Sequence, residues 1–110
     1  MVGYKTMKAA VLALTQNLAA ANARFSVRVN AILPGLMNTP MAIEARVAQG
    51  TSREEVIAAR NRRVPLGHKM GTAWDVAHAA LFLHSDEAGF ISGALLPVDG
   101  GATASFGSYE

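Results

Sequence analysis

The first part of the chain has the hydrophobic spacing of a helix. Between Tyr4 and Arg24 there is no proline or glycine. Apolar residues recur there every three or four positions, at Met7, Val11, Leu14, Leu18 and Ala21. Other apolar residues fill much of the remaining circumference. Because a helix that is apolar nearly all round needs cover on more than one side, we expect the helix over residues 4–24 to form a subunit interface as well as part of a core.

Two later segments have the pattern of strands. Residues 26–33 alternate, with Val27, Val29, Ala31 and Leu33 on one face, and Pro34-Gly35 ends the run. A short apolar run over residues 94–98 ends at Asp99 before two glycines, where a turn is expected and not a catalytic carboxylate. Helices separate the two strands, which predicts a parallel sheet. Parallel sheets are covered on both faces and need several strands, so we predict an α/β fold that is the end of a larger sheet.

Helices are expected between the two strands. The first covers residues 41–48, and the second begins at Ser52, which has the spacing of a capping box with Glu55, and ends near residue 63. Residues 65–71 are expected to form a loop. The third helix covers residues 72–84, where Thr72 and Asp75 repeat the capping-box spacing with aspartate in place of glutamate.

Composition and charge exclude several classes of protein. The 110 residues are 51% hydrophobic and 16% charged, which excludes a disordered chain, and no apolar run approaches the roughly 18 residues of a membrane span. Without cysteine there is no disulfide or thiolate metal site, and the three histidines lack metal-ligand spacing, so we expect no metal. The start does not resemble a signal peptide, which makes the cytoplasm the expected location. Ten basic residues against eight acidic ones, with no aromatic residue among the cluster at 60–63, do not predict nucleic-acid binding.

Tyr4 and Lys8 are four residues apart and share one face of the first helix. An ammonium group beside a phenol stabilises the phenolate, and a helix N-terminus acts in the same direction. Such a tyrosine can exchange a proton with an alcohol or carbonyl oxygen near neutral pH. This spacing alone is common, and two surface side chains are the simpler interpretation.

Two further patterned segments accompany this pair. Residues 29–41 lie at the end of the first strand, where α/β folds place ligand-binding loops, and residues 90–101 surround the second strand. Pro34-Gly35 bends the chain so that backbone amides are free, and Thr39 can offer a hydroxyl and an amide to a phosphate. The alternative for this segment is an ordinary turn that ends a strand.

In this order and spacing, the three segments resemble the C-terminal half of the short-chain dehydrogenase/reductase family, from Tyr4 to Gly101. The resemblance implies the last two strands and the helices of a Rossmann-like, doubly wound parallel sheet. It also implies an oxidoreductase that moves a hydride between NAD or NADP and a small secondary alcohol or ketone, assembled as a dimer or tetramer. Residues 1–110 would be the C-terminal portion of a single domain, in which residues 36–63 form the substrate loop.

The resemblance assigns roles to individual residues. Tyr4 would be the catalytic acid/base, and Lys8 would assist it and hydrogen-bond the ribose of the cofactor, so that both also bind the cofactor. Asn30 would brace the turn. The residues that would line the nicotinamide and its carboxamide are Pro34, Gly35, Leu36, Met37 and Thr39.

The sequence departs from the family pattern in places. Met37 stands where valine or isoleucine is usual, and Met7 stands where serine is common before the lysine. The loop over residues 67–75 is one residue longer than the usual form and has His68 where arginine is common. The departures at Met7 and in the loop bear on substrate and assembly and not on hydride transfer.

The nucleotide-binding N-terminal half of the family is absent from these residues. They contain no glycine-rich strand–turn–helix for a pyrophosphate, and a complete enzyme of this class has roughly 200–250 residues. We therefore expect the 110 residues to be part of a longer protein, and to be inactive and poorly folded alone. The alternative from another class is a non-catalytic module that docks through its apolar helix onto related subunits.

Overall fold

The computed structural model describes residues 2–105. Along this part of the chain the helices are α1 (Val2–Asn22), α2 (Pro40–Val47), α3 (Arg53–Arg62) and α4 (Ala73–His84), and the strands are β1 (Ala31–Pro34) and β2 (Leu95–Val98). Short 3-10 turns follow at Ala23–Phe25, Asp86–Ala88 and Ala102–Ala104. None of the helices in the described part is both long enough and apolar enough to cross a membrane.

The two strands pair with each other and run parallel. The Ala31 N–H donates to the Ala94 carbonyl at 2.8 Å, and the Gly35 N–H donates to the Val98 carbonyl at 2.9 Å, so the register advances in the same direction on both strands. Three helices lie between them in the sequence. The predicted α/β class with a parallel sheet is therefore confirmed.

β1 begins five residues later than the alternating pattern predicted. Ser26 has a φ of 60°, in the left-handed region, and caps the turn that follows α1. The Val29 N–H donates to the Ser92 hydroxyl at 3.2 Å, and the Val29 carbonyl accepts from the Gly93 N–H at 2.7 Å. Because these residues bond to a loop, only Ala31–Pro34 pairs as a strand.

The described residues divide into two compact units. The first unit contains residues 2–32 and 80–96, and the second unit contains residues 33–79 and 97–105. In the first unit, α1 buries only Thr15 and Ala19. Its large apolar side chains are between 41% and 68% exposed at Tyr4, Met7, Val11, Leu14 and Leu18. From these apolar side chains we predicted that α1 is covered on several sides. Within the described residues they are exposed.

The second unit has a hydrophobic core of its own. Its centre consists of four side chains that are at most 4% exposed, namely Ile43, Val56, Val64 and Met70. The Ser52 hydroxyl accepts the Glu55 N–H at 3.2 Å and so begins α3, as the capping spacing predicted. An ion pair between Arg53 and Glu44 links α3 to α2.

Candidate functional site

α1 carries the predicted catalytic pair in its first two turns. The Lys8 Nζ lies 5.6 Å from the centroid of the Tyr4 ring, which is within the distance of about 6 Å at which an ammonium interacts with an aromatic face. Tyr4 is 63% exposed, so its hydroxyl is accessible. The helix therefore brings both side chains together in the first unit and leaves the phenol open to a ligand.

Backbone contacts within the second unit fix the turn after β1. The Gly35 N–H is held by the Val98 carbonyl at the end of β2. A Cβ atom at Gly35 would lie 2.6 Å from the Asp99 Cα, a distance that no side chain tolerates. Glycine is required here because the two backbone segments approach so closely, and the Pro34-Gly35 turn is consequently anchored on β2.

Leu36 and Met37 are held by one residue of the loop that precedes α4. The Gly71 N–H donates to the Leu36 carbonyl at 3.1 Å, and the Gly71 carbonyl accepts the Asn38 N–H at 2.8 Å. Met37 and Gly71 thus form a short parallel bridge. Both bonds go to the residues on either side of Met37, and within residues 2–105 the Met37 N–H itself has no hydrogen-bond partner.

Thr39 precedes α2 as its N-cap residue. Its carbonyl accepts the N–H groups of Ala42 and Ile43, while its hydroxyl makes no capping bond to the helix. The Met37 N–H is a donor, and the Thr39 hydroxyl can donate or accept. A carboxamide has matching acceptor and donor groups, so this segment fits the nicotinamide carboxamide that the resemblance implies.

A cavity of about 710 Å³ opens beside this turn in the second unit. Its size lies within the roughly 300–1,000 Å³ of small-molecule sites, and it lies at the carboxyl ends of β1 and β2, the edge where α/β sheets bind ligands. Leu36 and Met37, which the sequence singled out, form part of its wall. Other lining residues were not predicted from the sequence, namely Val64, Leu66, Lys69, Met70 and Thr72.

Asp99 also lines the cavity, but its carboxylate is used within its own turn. Its Oδ2 accepts the Thr103 N–H at 2.9 Å and the Thr103 hydroxyl at 2.8 Å, and its Oδ1 accepts the Gly101 N–H at 2.9 Å. These bonds hold the pKa of Asp99 below its ordinary value, and the two bonds from Thr103 contribute most. Asp99 has the turn role that its position before two glycines predicts.

Asn30 braces the first unit. Its Nδ2 donates to the Ile91 carbonyl at 3.0 Å, and its Oδ1 accepts the Ala94 N–H at 2.9 Å, directly before β2. Both ends of the amide are therefore used for structure, as expected for this residue, but they hold the segment before β2 and not the turn after β1.

Comparisons with known proteins agree with this geometry. Residues 2–103 match the family model described as enoyl-(acyl carrier protein) reductase. The chain is 44% identical over 100 residues to a 3beta-hydroxysteroid dehydrogenase of Eggerthella lenta, covering 91% of the chain and 36% of that protein. It is 40% identical over 104 residues to a 2-(S)-hydroxypropyl-CoM dehydrogenase of Xanthobacter autotrophicus, covering 94% of the chain and 40% of that protein.

Solved structures show the same fold. The ligand-free aldohexose dehydrogenase of Thermoplasma acidophilum superposes with a TM-score of 0.88 at 33% identity, covering all of this chain and 45% of that one. The chain belongs to the short-chain dehydrogenase/reductase family of oxidoreductases. It spans about 40% of the length of the curated relatives it matches, and corresponds to part of their Rossmann-like sheet.

Proposed function

We propose that the full-length protein carrying this chain is an NAD- or NADP-dependent oxidoreductase acting on a small secondary alcohol or ketone. The observation that carries the proposal is the exposed Tyr4 phenol with the Lys8 ammonium 5.6 Å from its ring, in a chain of this family. The names of its relatives support the substrate class, since a hydroxysteroid, a hydroxypropyl group and an aldohexose all carry hydroxyl groups.

In this proposal, Tyr4 handles the proton. During oxidation the tyrosine oxygen takes the proton of the alcohol while the hydride leaves the carbinol carbon, and during reduction the tyrosine returns a proton to the carbonyl oxygen. Lys8 would assist this proton transfer through its positive charge, and its three N–H donors can also hold ribose hydroxyls of the cofactor. When bound, the nicotinamide accepts or supplies the hydride.

The turn after β1 would orient the nicotinamide. The Met37 N–H and the Thr39 hydroxyl would hold its carboxamide, while Pro34, Gly35 and Leu36 would line the ring. Support comes from the Met37 N–H, which has no hydrogen-bond partner among residues 2–105, and from the anchoring of Gly35 on the Val98 carbonyl. A turn that is already fixed loses little entropy when it binds a ligand.

Replacement of Tyr4 by phenylalanine tests the assignment. In the full-length protein, Tyr4→Phe should lower kcat by about 10²–10⁴-fold, the usual contribution of a positioned acid/base, with little change in the Kd of the cofactor. Lys8→Met should lower kcat as well, whereas Lys5→Met, an exposed lysine of the same helix, should not. Steady-state kinetics with fluorescence titration of the reduced cofactor measures both quantities. If Tyr4→Phe kept most of its kcat, Tyr4 would not be the acid/base.

We also propose that the 110 residues alone do not catalyse the reaction. They lack a glycine-rich phosphate-binding segment, and within the described part the sheet has two strands with open outer edges. Few contacts would remain to offset the entropy lost when a cofactor binds. Circular dichroism melting and calorimetric titration with NAD and NADP should show a non-cooperative melt and no tight binding. A cooperative melt with tight cofactor binding would contradict this proposal.

The exposed apolar side chains of α1 support a second proposal, that the protein assembles into an oligomer. Leu14 is 55% exposed and Leu18 is 41% exposed, although both are large and apolar. We propose that this helix face packs against another subunit in a dimer or tetramer. A purely non-catalytic docking module would use the same face, and the two candidates differ in whether Tyr4→Phe removes a measurable activity.

A further inference from the structure

The last turn of α3 contains an asparagine, Asn61, whose side chain does not serve its own helix. Asparagine is a poor helix former, because its amide competes for nearby backbone groups. Here the Asn61 Oδ1 accepts the N–H of Met70, nine positions further along the chain, at 2.8 Å. Asn61 is half-buried, so the bond is partly shielded from water. Asn61 therefore fixes the loop that precedes α4.

Met70 is held by its side chain as well as by its backbone. The Met70 side chain is 4% exposed and belongs to the core with Val56 and Val64. Its Sδ lies 3.3 Å from the Nε of Arg60, the neighbour of Asn61 on α3. Both the main chain and the side chain of residue 70 are thus attached to α3 and to the core on which α3 packs.

Gly71, the next residue, connects this fixed point to the turn after β1. Its N–H donates to the Leu36 carbonyl at 3.1 Å, and its carbonyl accepts the Asn38 N–H at 2.8 Å. The Leu36 carbonyl and the Met37 N–H belong to one planar trans peptide group, so they point in opposite directions. Because Gly71 holds the carbonyl, the Met37 N–H is directed away from the loop and is available to a ligand.

We propose that Asn61 is a positioning residue for the carboxamide of the nicotinamide cofactor. The inference rests on the proposed function, in which the Met37 N–H donates to the carbonyl oxygen of that carboxamide. Asn61 would touch neither cofactor nor substrate. It acts through Met70 and Gly71, because the peptide between Leu36 and Met37 keeps its orientation only while the loop keeps its place. All five residues belong to the second unit.

Two substitutions at Asn61 separate the hydrogen bond from other effects of a change at this position. Asn61→Leu leaves the Met70 N–H without its acceptor at a partly buried place. A buried donor without a partner is costly, so the loop is expected to shift towards water or another acceptor. Asn61→Asp retains an acceptor oxygen at nearly the same volume, and it should keep the loop in place.

Binding of cofactor analogues to the full-length protein tests the proposal without turnover. NAD has the carboxamide, whereas 3-aminopyridine adenine dinucleotide has an amino group instead and offers the Met37 N–H no carbonyl. The 2′-phosphorylated pair is used if the protein prefers NADP. By calorimetry, the wild-type protein should bind NAD about three- to tenfold more tightly than the analogue, the range of one hydrogen bond. Asn61→Leu should weaken NAD binding by about that factor and analogue binding by less than about twofold, while Asn61→Asp should keep the preference.

Ser52→Ala is the control for a general weakening of α3. It removes the bond to the Glu55 N–H at the opposite end of the helix and leaves Asn61 in place, so the preference for NAD should be unchanged. Hydrogen exchange followed by mass spectrometry reports on the loop directly. Asn61→Leu should speed exchange of the Gly71 and Asn38 N–H groups by at least about tenfold, and the other two variants should not.

The outcomes distinguish this inference from the proposed function. If neither NAD nor NADP binds but Asn61→Leu speeds exchange at Gly71 and Asn38, the proposed function fails and the hold of Asn61 on the turn stands. If the wild-type protein prefers NAD and Asn61→Leu changes neither exchange nor preference, the proposed function stands and the role of Asn61 is overturned. Faster exchange with an unchanged preference would overturn it as well, and so would an equal loss of preference in Ser52→Ala. Equal binding of NAD and the analogue by the wild-type protein would overturn the Met37 contact and the role of Asn61 with it.

Discussion

The two units of the chain differ in where their apolar side chains lie. In the second unit, Ile43 is 1% exposed and Val56 is 4% exposed, whereas in the first unit Leu14 and Met7 of α1 are 55% and 68% exposed. Both regions are rich in apolar residues, so composition does not explain the difference. The comparison shows that hydrophobic content alone does not make a core, since side chains must also have neighbours to bury them.

Chain distance explains much of this contrast. The core of the second unit is built from α2, α3 and the residues that follow α3. These segments are neighbours in the sequence, so bringing them together forms only short loops and costs little entropy. α1 has one buried stripe around Thr15 and Ala19, and its other large apolar side chains, apart from the half-buried Leu12, are exposed. An exposed patch of this kind is typical of an interaction surface.

The largest effect is expected at the centre of the second unit. In the full-length protein, Ile43→Ala should lower the free energy of unfolding by about 2–5 kcal/mol, because it removes buried methyl groups and leaves a cavity. Met41→Ala is the matched control on the same helix, where the side chain is 89% exposed, and it should cost less than about 0.5 kcal/mol. Urea unfolding followed by circular dichroism measures both, and equal losses for the two variants would contradict a core at Ile43.

A charge on the exposed face of α1 should affect assembly more than folding. Leu14→Asp should at least halve the mass of the full-length oligomer, because an unpaired carboxylate would be buried between subunits. Gln16→Asp, at an exposed polar position of the same helix, serves as the control. Light scattering gives the mass and thermal melting the stability. An unchanged mass for Leu14→Asp would show that this face of α1 is not an interface.

The smallest effect is expected at Asp99 and depends on pH. Because its pKa is lower in the folded than in the unfolded protein, Asp99 contributes stability above the unfolded pKa of about 3.9, and that contribution is lost as pH falls through the folded value. Asp99→Asn should lower the Tm slightly at pH 7 and make the decline between about pH 5 and pH 2 shallower. Thr103→Val removes one donor to Asp99 but keeps the charge, so it should reproduce part of this change. Parallel Tm profiles for all three proteins would contradict the role of these bonds.

The elements that the sequence predicted well are those with local signals. α3 begins after Ser52 and ends at Arg62, because a hydroxyl at the N-cap and the spacing to Glu55 act within one turn. β1 was predicted too long, because residues 26–30 alternate as a strand does. In the structure Val29 bonds instead to Ser92 and Gly93, which are more than 60 positions away in the sequence. No local pattern reports such a contact.

The same distinction applies to the candidate site. The proximity of Tyr4 and Lys8 follows from helical spacing and was predicted. The cavity was not, because its wall combines segments after β1, after α3 and after β2 that meet only in the folded chain. The longer loop around Lys69 was visible in the sequence as a departure from the family pattern, but its position in the cavity wall was not.

Met37 and Gly71 share a single volume, which constrains how the two positions can change in evolution. A Cβ atom at position 71 would lie 2.7 Å from the Met37 Sδ and 3.0 Å from its Cε, so the long side chain at 37 occupies the space of any side chain at 71. A shorter residue at 37 would release that space. Related sequences with alanine or serine at position 71 should therefore have at position 37 either a shorter residue or a methionine in another rotamer.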